Sequence, residues 1–234
     1  AGDAALTLRG ELVLRDGRRV EYEQFYSGPS AALIASLEAV QPLSAIAQSS
    51  FPNLEVTAVH FRAELRDSLA QARIVGMRLP SEILRPGQPY ALEITLAPHA
   101  AEFARQKVDI TLPSTTPAGP LLIRVGSAET SRFWESNRRP DAFAPRSAEH
   151  LLELLSMPGR ADELVVEVLR TKAGVTVDGR EMPSLPPSAR AVLTSSSSSG
   201  HLGPVTDEVL LRLRLPTPYS LSGEQFIETT LENH

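Results

Sequence analysis

The first residues alternate between apolar and polar positions, as a strand with one buried face does. The alternation runs from Leu6 to Leu14 and resumes at Val20 and Tyr22, with Asp16-Gly17 between the two runs. Asp-Gly between alternating runs favours a tight turn, because both central positions of a type I′ turn need a positive φ. The pattern therefore predicts a β-hairpin.

A helical period follows the hairpin. Leu33, Ile34, Leu37 and Val40 recur at the spacing of one helix face. Pro42 falls inside this pattern and is expected to kink or end the first helix, with a second short turn after it. The segment is almost uncharged, so we expect it to pack against a sheet.

Sustained strand alternation occupies the middle of the chain, from Leu54 to Val125. Val59, Phe61, Ala63 and Leu65 alternate with polar residues, which predicts one buried and one solvated face. Several further short runs of this kind follow, and Arg85-Pro86-Gly87-Gln88 has the Pro and Gly of a type II turn. Short strands separated by turn signals favour an immunoglobulin-like sandwich, here without the cysteine pair and core tryptophan of antibody domains.

The pattern weakens in the last hundred residues. The segment from Ser127 to Pro145 is polar and predicts a long irregular loop, whereas an apolar stripe from Ala148 to Leu155 predicts a helix. The low-complexity run from Ser195 to Gly200 is typical of a mobile loop. A strand is predicted at Leu164–Leu169, and a second Asp-Gly turn lies at Asp178-Gly179 within Val175–Glu181. Two terminal strands are predicted at Val209–Leu215 and Phe226–Leu231.

Together these elements predict a mainly β (α+β) chain with three segments. Residues 1–54 form a hairpin-plus-helix lobe, and residues 55–128 form the immunoglobulin-like β-sandwich. Residues 129–234 form a linker and a small α/β lobe with the terminal strands. A further hypothesis is that the terminal strands return to pair with the hairpin of residues 1–54, which would make the outer lobes one unit.

Composition narrows the possible functions. The net charge of −5 disfavours a nucleic-acid binder, which needs a basic surface. The absence of cysteine excludes disulfides, thiolate metal sites and a cysteine nucleophile, and it fits an envelope protein. No apolar run is long enough for a membrane-spanning helix, so we expect no direct membrane insertion.

Candidate chemistry is sparse. The five histidines have no zinc-binding spacing, and no phosphate-binding glycine loop is present. Gly126-Ser127-Ala128 is interpreted as the end of a strand rather than as a nucleophile motif, and neighbouring carboxylates such as Asp162 and Glu163 as solvated surface. We therefore predict no catalytic residue, no metal site and no cofactor, and interpret the chain as non-enzymatic.

One polar patch stands out around the single tryptophan, Trp134. It contains Arg132, Arg138 and Arg139, and arginine and tryptophan are enriched at binding hot spots. These four residues are candidate partner contacts. The alternative is that Trp134 is buried between two lobes and the arginines pair with nearby acids.

Three stretches carry a resemblance to a known family. "LVLRDGRRVEYEQFYSG", "ILRPGQPYALEITLAP" and "VDITLPSTTPAGPLLIRVGSA" are similar to the region downstream of the catalytic domain in large bacterial SpoIVB-type serine peptidase proteins. The later "VDGREMPSLPPSARAVL" and "YSLSG" stretches also resemble that region. The resemblance implies a non-peptidase accessory module of a secreted, periplasmic or cell-envelope bacterial protein, and it places no catalytic residue on this chain.

Two functions follow as hypotheses. The first is a structural or protein-interaction module that presents loops, or that offers a strand edge to an extended peptide or to a second copy of itself. The second is a carbohydrate- or cell-wall-binding module. Clustered exposed Tyr and Trp would favour sugar binding, and a long unpaired edge or an apolar patch would favour protein contact.

Overall fold

The computed structural model describes residues 4–67, 69–157, 159–177, 180–182 and 202–232. The fold is mainly β, with 52% strand and 21% helix, which confirms the predicted α+β, mainly β class. The Asp178-Gly179 turn and the polyserine run predicted from the sequence lie outside the described residues.

The predicted hairpin is present. Strands β1 (Ala4–Leu14) and β2 (Arg19–Gly28) pair antiparallel along their length. Gly17 at the turn has φ +86°, and the Asp16 carboxylate accepts a hydrogen bond from the Arg18 backbone N–H at 3.1 Å. Gly17 therefore has the positive φ that was expected of it. The predicted type I′ turn is wrong, however, because Asp16 does not have a positive φ, and the Gly17 N–H donates to the Leu14 carbonyl at 3.0 Å, which makes Arg15 and Asp16 the central residues.

A third strand completes this first sheet, in the order β2-β1-β3. Strand β3 (Val56–Arg66) pairs with β1 from Ala5 to Leu14, although the sequence interpretation placed it in the middle sandwich. The period of two in its pattern defines two faces but does not identify a partner strand. A two-stranded hairpin is marginal alone, and β3 supplies the third strand that such a sheet needs.

The remaining strands form two sheets that share one core. The first sandwich sheet has the order β12-β4-β6-β7, and the second sandwich sheet has the order β10-β9-β8-β13-β5, with β11 paired to β9. Apolar side chains from both sheets, such as Ile74, Leu92, Ile123 and Val166, form a single buried cluster. The architecture is therefore sandwich-like. The strands are β4 (Gln71–Arg78), β5 (Ile83–Leu84), β6 (Pro89–Pro98), β7 (Ala104–Thr111), β8 (Gly119–Ser127), β9 (Glu163–Val177), β10 (Arg180–Met182), β11 (Leu202–Pro216), β12 (Ser220–Ser222) and β13 (Gln225–Leu231).

The terminal strands do not return to the hairpin, so that hypothesis was wrong. Strand β13 lies between β8 and β5, and β11 pairs with β9. Leu231 of β13 is fully buried in the sandwich core, and β1 is already paired on both sides. The three sheets consequently do not coincide with the predicted segments 1–54, 55–128 and 129–234.

The predicted type II turn between β5 and β6 is confirmed. Gly87 has φ +78°, and the Gln88 N–H donates to the Arg85 carbonyl at 3.3 Å. The Gly87 N–H donates to the Leu112 carbonyl at 2.8 Å, which ties this turn to the end of β7.

Two helices follow the hairpin, α1 (Ala31–Ala39) and α2 (Gln41–Ala47), with Pro42 in the first turn of α2. Helix α1 packs on the first sheet as expected, but through Ala35 and Ala39 against Leu6 and Leu8. The apolar stripe from Leu33 to Val40 instead faces solvent. Small alanines let the helix approach the sheet closely, and an almost uncharged helix has no polar face to direct the leucines inward.

The predicted loop after β8 is mostly helix, which corrects the sequence interpretation. Helix α3 (Ala128–Arg138) begins at Ser127, whose hydroxyl accepts from the Thr130 N–H at 3.1 Å, and a 3₁₀ turn (Pro140–Phe143) follows. The buried face of α3 is largely polar, so apolar periodicity did not show it. Helix α4 (Ala148–Ser156) is confirmed, with Ser147 as its N-cap.

Candidate interaction surfaces

Helix α3 and its C-cap residue Arg139 carry the four residues predicted as partner contacts, but these residues do not lie on one surface. Trp134 and Arg138 are buried, Arg139 is partly buried and Arg132 is exposed. The burial of Trp134 and the pairing of Arg138 and Arg139 with Glu135 fit the alternative, except that Trp134 packs on one sheet and not between two lobes.

Trp134 anchors α3 to strands of the second sandwich sheet. Its ring lies 4.3 Å from the Arg124 guanidinium carbon and 5.7 Å from the Phe226 ring centroid. Its indole N–H donates to Glu224 at 3.1 Å. A Cβ at Gly126 would lie 2.8 Å from the indole, so glycine leaves the space that the ring occupies. The side chain has a stacked cation, an aromatic neighbour and a hydrogen-bond acceptor, as a buried indole requires.

Glu135 joins α3 to β11 through charged hydrogen bonds. Its carboxylate accepts from Arg138 at 2.7 Å and 3.0 Å, from Arg139 at 2.7 Å and from Arg212 at 2.7 Å. Burial by itself raises the pKa of Glu135, but the Arg138 hydrogen bonds and the charges of Arg138, Arg212 and Arg139 outweigh it and lower the pKa to about 2. The carboxylate is therefore ionised at neutral pH.

Glu167 on β9 forms the second centre of this network and is fully buried. It accepts from Arg124 at 2.6 Å, from Arg212 at 2.5 Å and from Ser131 at 2.8 Å. Arg212 thus bridges the two glutamates, and their charges outweigh its desolvation and raise its pKa. Sequence reasoning missed this network, although Glu135 and Arg138 have the spacing of a helical ion pair.

A small cavity of about 240 Å³ lies beside α3, next to this network. Its charged lining residues are Arg132, Glu135, Arg139, Arg212 and Arg214. Three of the four arginines already contact a carboxylate, since Arg139 and Arg212 pair with Glu135 and Arg214 pairs with Glu163. The arrangement holds α3 on the sheet, and its cations are largely compensated from within the chain.

Strand β3 is exposed on both faces, which corrects the prediction that one of its faces is buried. Phe61 is 48% exposed and Leu65 is 65% exposed. By register, Leu65 shares a face with Leu6, and Ala63 shares it with Leu8. We call Val59, Phe61, Ala63 and Leu65 the β3 apolar row. Helix α1 covers this face of the sheet over β1 and β2 and leaves the row uncovered.

The outer edge of β3 is also unpaired within the described ranges. The strand spans 11 residues, and β1 is its sole partner there. The N–H and C=O groups that point away from β1 therefore form a row of backbone donors and acceptors. We call this row the β3 edge.

Helix α1 adds further apolar side chains on the same side of the sheet. Leu33 is 64% exposed and Leu37 is 61% exposed, and Ile34 and Val40 are also exposed. Isolated exposed apolar residues are common on protein surfaces, but a strand and a helix that both expose several large ones indicate a binding surface.

A cavity of about 500 Å³ opens beside β3 on the first sheet. Phe61, Arg62 and His60 of β3 contribute to its wall, together with Tyr22 and Met157. The cavity extends the exposed surface of β3 across the sheet.

Residues considered for chemistry remain dispersed. Ser127 is buried as the N-cap of α3 and contacts Thr130, and Asp162 pairs with Arg160. His60 is exposed on β3, and His150 contacts the Ala142 carbonyl at 3.1 Å. Among the residues that the structure describes, no three metal-ligating side chains gather at one point.

The longest helix in the described ranges has 11 residues, and none of the helices there is long and apolar enough to cross a bilayer. Comparisons with protein-family models, with curated proteins and with solved structures gave no match.

Proposed function

We propose that this chain is a non-catalytic protein-interaction module that binds an extended polypeptide segment along the β3 edge. The observation that carries the proposal is β3 itself, an 11-residue edge strand with both faces exposed and an apolar row on one of them. Addition of a strand would pair its free backbone groups, and alternate side chains of the added segment would cover the β3 apolar row.

Physical chemistry makes such an edge costly to leave open. A long edge strand with exposed apolar residues is a template for uncontrolled pairing with other chains. Strand β7, at an edge of the first sandwich sheet, contrasts with β3 because Val108 and Ile110 on its inner face are buried, while Lys107 on its outer face is exposed. The core therefore covers the apolar side chains of β7, whereas the β3 apolar row is left exposed.

The side chains favour protein over carbohydrate as the ligand. Sugar-binding modules stack pyranose rings on exposed Tyr and Trp, yet Trp134 is buried and Tyr22, Tyr26, Tyr90 and Tyr219 are all partly buried. The exposed aromatic of the candidate surface is Phe61, which offers apolar area without a hydrogen-bonding tip.

The family resemblance and the lack of cysteine support a location in the cell envelope or outside the cell. The module would then present the β3 edge to other envelope proteins. Fractionation of cells that express the full-length protein checks this part of the proposal, and recovery of the protein in the cytoplasmic fraction alone would contradict it.

Peptide display tests the interaction itself. A library of random 12-residue peptides is selected on the immobilised chain at low surface density, and enriched peptides are measured against two variants. Phe61→Asp alters the β3 apolar row, and Phe103→Asp alters an exposed phenylalanine far along the chain. We expect enriched peptides with alternating apolar residues that lose at least about tenfold in affinity for Phe61→Asp, since a charge beside the added strand removes an apolar cross-strand contact.

The matched variant decides the outcome. Phe103→Asp should bind the same peptides as the wild-type chain. Failure to enrich any peptide, or equal binding to both variants, would show that the β3 edge is not the binding surface.

A further inference from the structure

The β3 strand is self-complementary in one antiparallel register. We infer that its natural occupant is the β3 strand of a second copy of this chain, paired about a two-fold axis at Ala63. This inference rests on the proposed function, because it uses the same β3 edge and identifies what binds there.

The residues around Ala63 match one another in reverse order. With Ala63 opposite Ala63 of the second copy, Phe61 lies opposite Leu65 and Arg62 lies opposite Glu64. The two-fold axis repeats each pair, so the register contains two aromatic–aliphatic pairs and two opposite-charge pairs. Both kinds of cross-strand pair stabilise a sheet.

Neighbouring registers lack this match. A two-fold axis perpendicular to the sheet must pass through a residue, because opposite residues in an antiparallel pair lie on the same face. An axis at Arg62 places Arg62 opposite itself, and an axis at Glu64 places Glu64 opposite itself. An axis at Phe61 places His60 opposite Arg62. An axis at Leu65 places Glu64 opposite Arg66, but it places Phe61 opposite residue 69, beyond the end of β3. The register at Ala63 is therefore the one that pairs Arg62 with an acid and Phe61 with Leu65.

The flanks of the register and the existing ion pairs are compatible with it. His60 lies opposite Arg66 at each end, where both side chains are exposed and solvent screens their interaction. Within one copy Glu64 contacts Arg9 at 2.8 Å and Arg62 at 3.4 Å, with its side chain 40% exposed. The carboxylate therefore already lies on this face and has room to accept Arg62 of the second copy.

The position of α1 explains why the apolar row is left open. In the joined sheet, with the order β2-β1-β3-β3-β1-β2, each copy's α1 covers its own β1 and β2. The two β3 apolar rows then lie side by side in the groove between the two α1 helices. Phe61 and Leu65 of both copies fill this groove, and a sheet of this size is common in stable domains.

Charge exchange tests the register. Sedimentation equilibrium of the wild-type chain should show a monomer–dimer equilibrium. Arg62→Glu or Glu64→Arg alone should raise the dimer Kd by about tenfold, because each places like charges opposite each other twice. The double variant Arg62→Glu/Glu64→Arg should restore dimerisation, and an equimolar mixture of the two single variants should form a heterodimer. Lys107→Glu on β7 is the control and should leave the Kd unchanged.

Cysteine cross-linking gives an independent measurement, because the chain has no cysteine of its own. Opposite Cα atoms in an antiparallel pair lie about 4.5–5.5 Å apart, within the range of a disulfide. Ala63→Cys should therefore form a disulfide-linked dimer under mild oxidation. Thr57→Cys on the same strand is the control, since its two copies would lie about 40 Å apart and should not cross-link.

The outcomes separate this inference from the proposed function. A wild-type chain that is still monomeric at about 100 μM has a dimer Kd above that concentration, which is too weak for a specific dimer. This result would overturn the inference. Equal cross-linking of Ala63→Cys and Thr57→Cys would also overturn it. If selected peptides still bind through Phe61 in that case, the proposed function stands with a different partner. If they do not, both are wrong.

Discussion

At the scale of single residues, the buried polar side chains around α3 form a network of paired charges. Arg124, Ser131 and Arg212 satisfy a Glu167 that is fully buried, and Arg138, Arg139 and Arg212 satisfy Glu135. A buried charge is tolerated only when it is paired and hydrogen-bonded. Loss of one partner leaves the other charge unpaired in the low-dielectric interior. Two predictions follow for this region.

Trp134→Ala should lower the free energy of unfolding by about 3 kcal/mol, because it empties an aromatic site and removes the stacking partner of Arg124. Trp134→Phe is the matched variant: it retains most of the packing and loses the hydrogen bond to Glu224, which is worth about 1 kcal/mol. Urea unfolding followed by circular dichroism measures both changes. Trp134 is the single tryptophan of the wild-type chain, so with excitation selective for tryptophan a blue-shifted emission that resists iodide quenching reports its burial. A loss below about 1 kcal/mol for Trp134→Ala would contradict the packing role.

The Glu135 carboxylate should make stability depend on acid pH. Its pKa falls from 4.5 to about 2 on folding, because the surrounding arginines outweigh burial. A lowered folded-state pKa gives stability that is complete above about pH 4.5 and is lost as the pH falls toward 2, by about 3 kcal/mol in total. Glu135→Gln should be much less stable than the wild-type chain at pH 7, and the difference should shrink between pH 4.5 and pH 2. A difference that stays constant over this range would show that the carboxylate charge is not involved.

At the scale of elements, turns and strand edges decide how the sheets are built. The hairpin turn at Asp16-Gly17 and the turn at Pro86-Gly87 both have glycine at positive φ, where residues with a side chain are strained. Strand β3 differs from the other strands because its pattern defines faces but the fold leaves most of both exposed. The consequence for the turns is a requirement for glycine.

Gly87→Val should lower the free energy of unfolding by more than about 1 kcal/mol, because a branched side chain does not adopt φ near +78° without strain. Gly76→Ala is the control, since its added Cβ would be 3.6 Å from Thr95, an ordinary contact, and its φ is not in the positive range. Thermal unfolding of the two variants measures the difference. Equal stability of Gly87→Val and the wild-type chain would mean that the turn has another conformation.

At the scale of the whole molecule, the described ranges contain three sheets and four α-helices, which combine into a sandwich-like body with an additional small sheet. The sandwich core draws side chains from strands that are distant in sequence, such as β4 and β13. The first sheet contains the open β3 edge, and the second sandwich sheet contains the α3 network. The charge network of α3 and the exposed β3 edge therefore lie on different sheets.

The amino-acid pattern alone determined the local elements of this protein. The hairpin, both glycine turns, helix α4 and the mainly β class follow from alternation, glycine and proline positions and capping residues, all of which act over a few residues. Helix α3 escaped this reasoning because its buried face consists of Ser131, Glu135 and Arg138 beside Trp134, and polar residues become a buried face only when partners from β9 and β11 are present.

Tertiary structure decided everything that depends on partners distant in the chain. The alternation of β3 was visible in the sequence, but its pairing with β1 and the exposure of Phe61 and Leu65 were not, because the side-chain period of a strand is the same whatever covers its faces. In the same way, α1 has two faces that could pack on the sheet. Ala35 and Ala39 pack closely on Leu6 and Leu8, and the larger leucines consequently face solvent. Residue types set which faces exist, and the competition among elements for burial determined which of those faces stayed exposed.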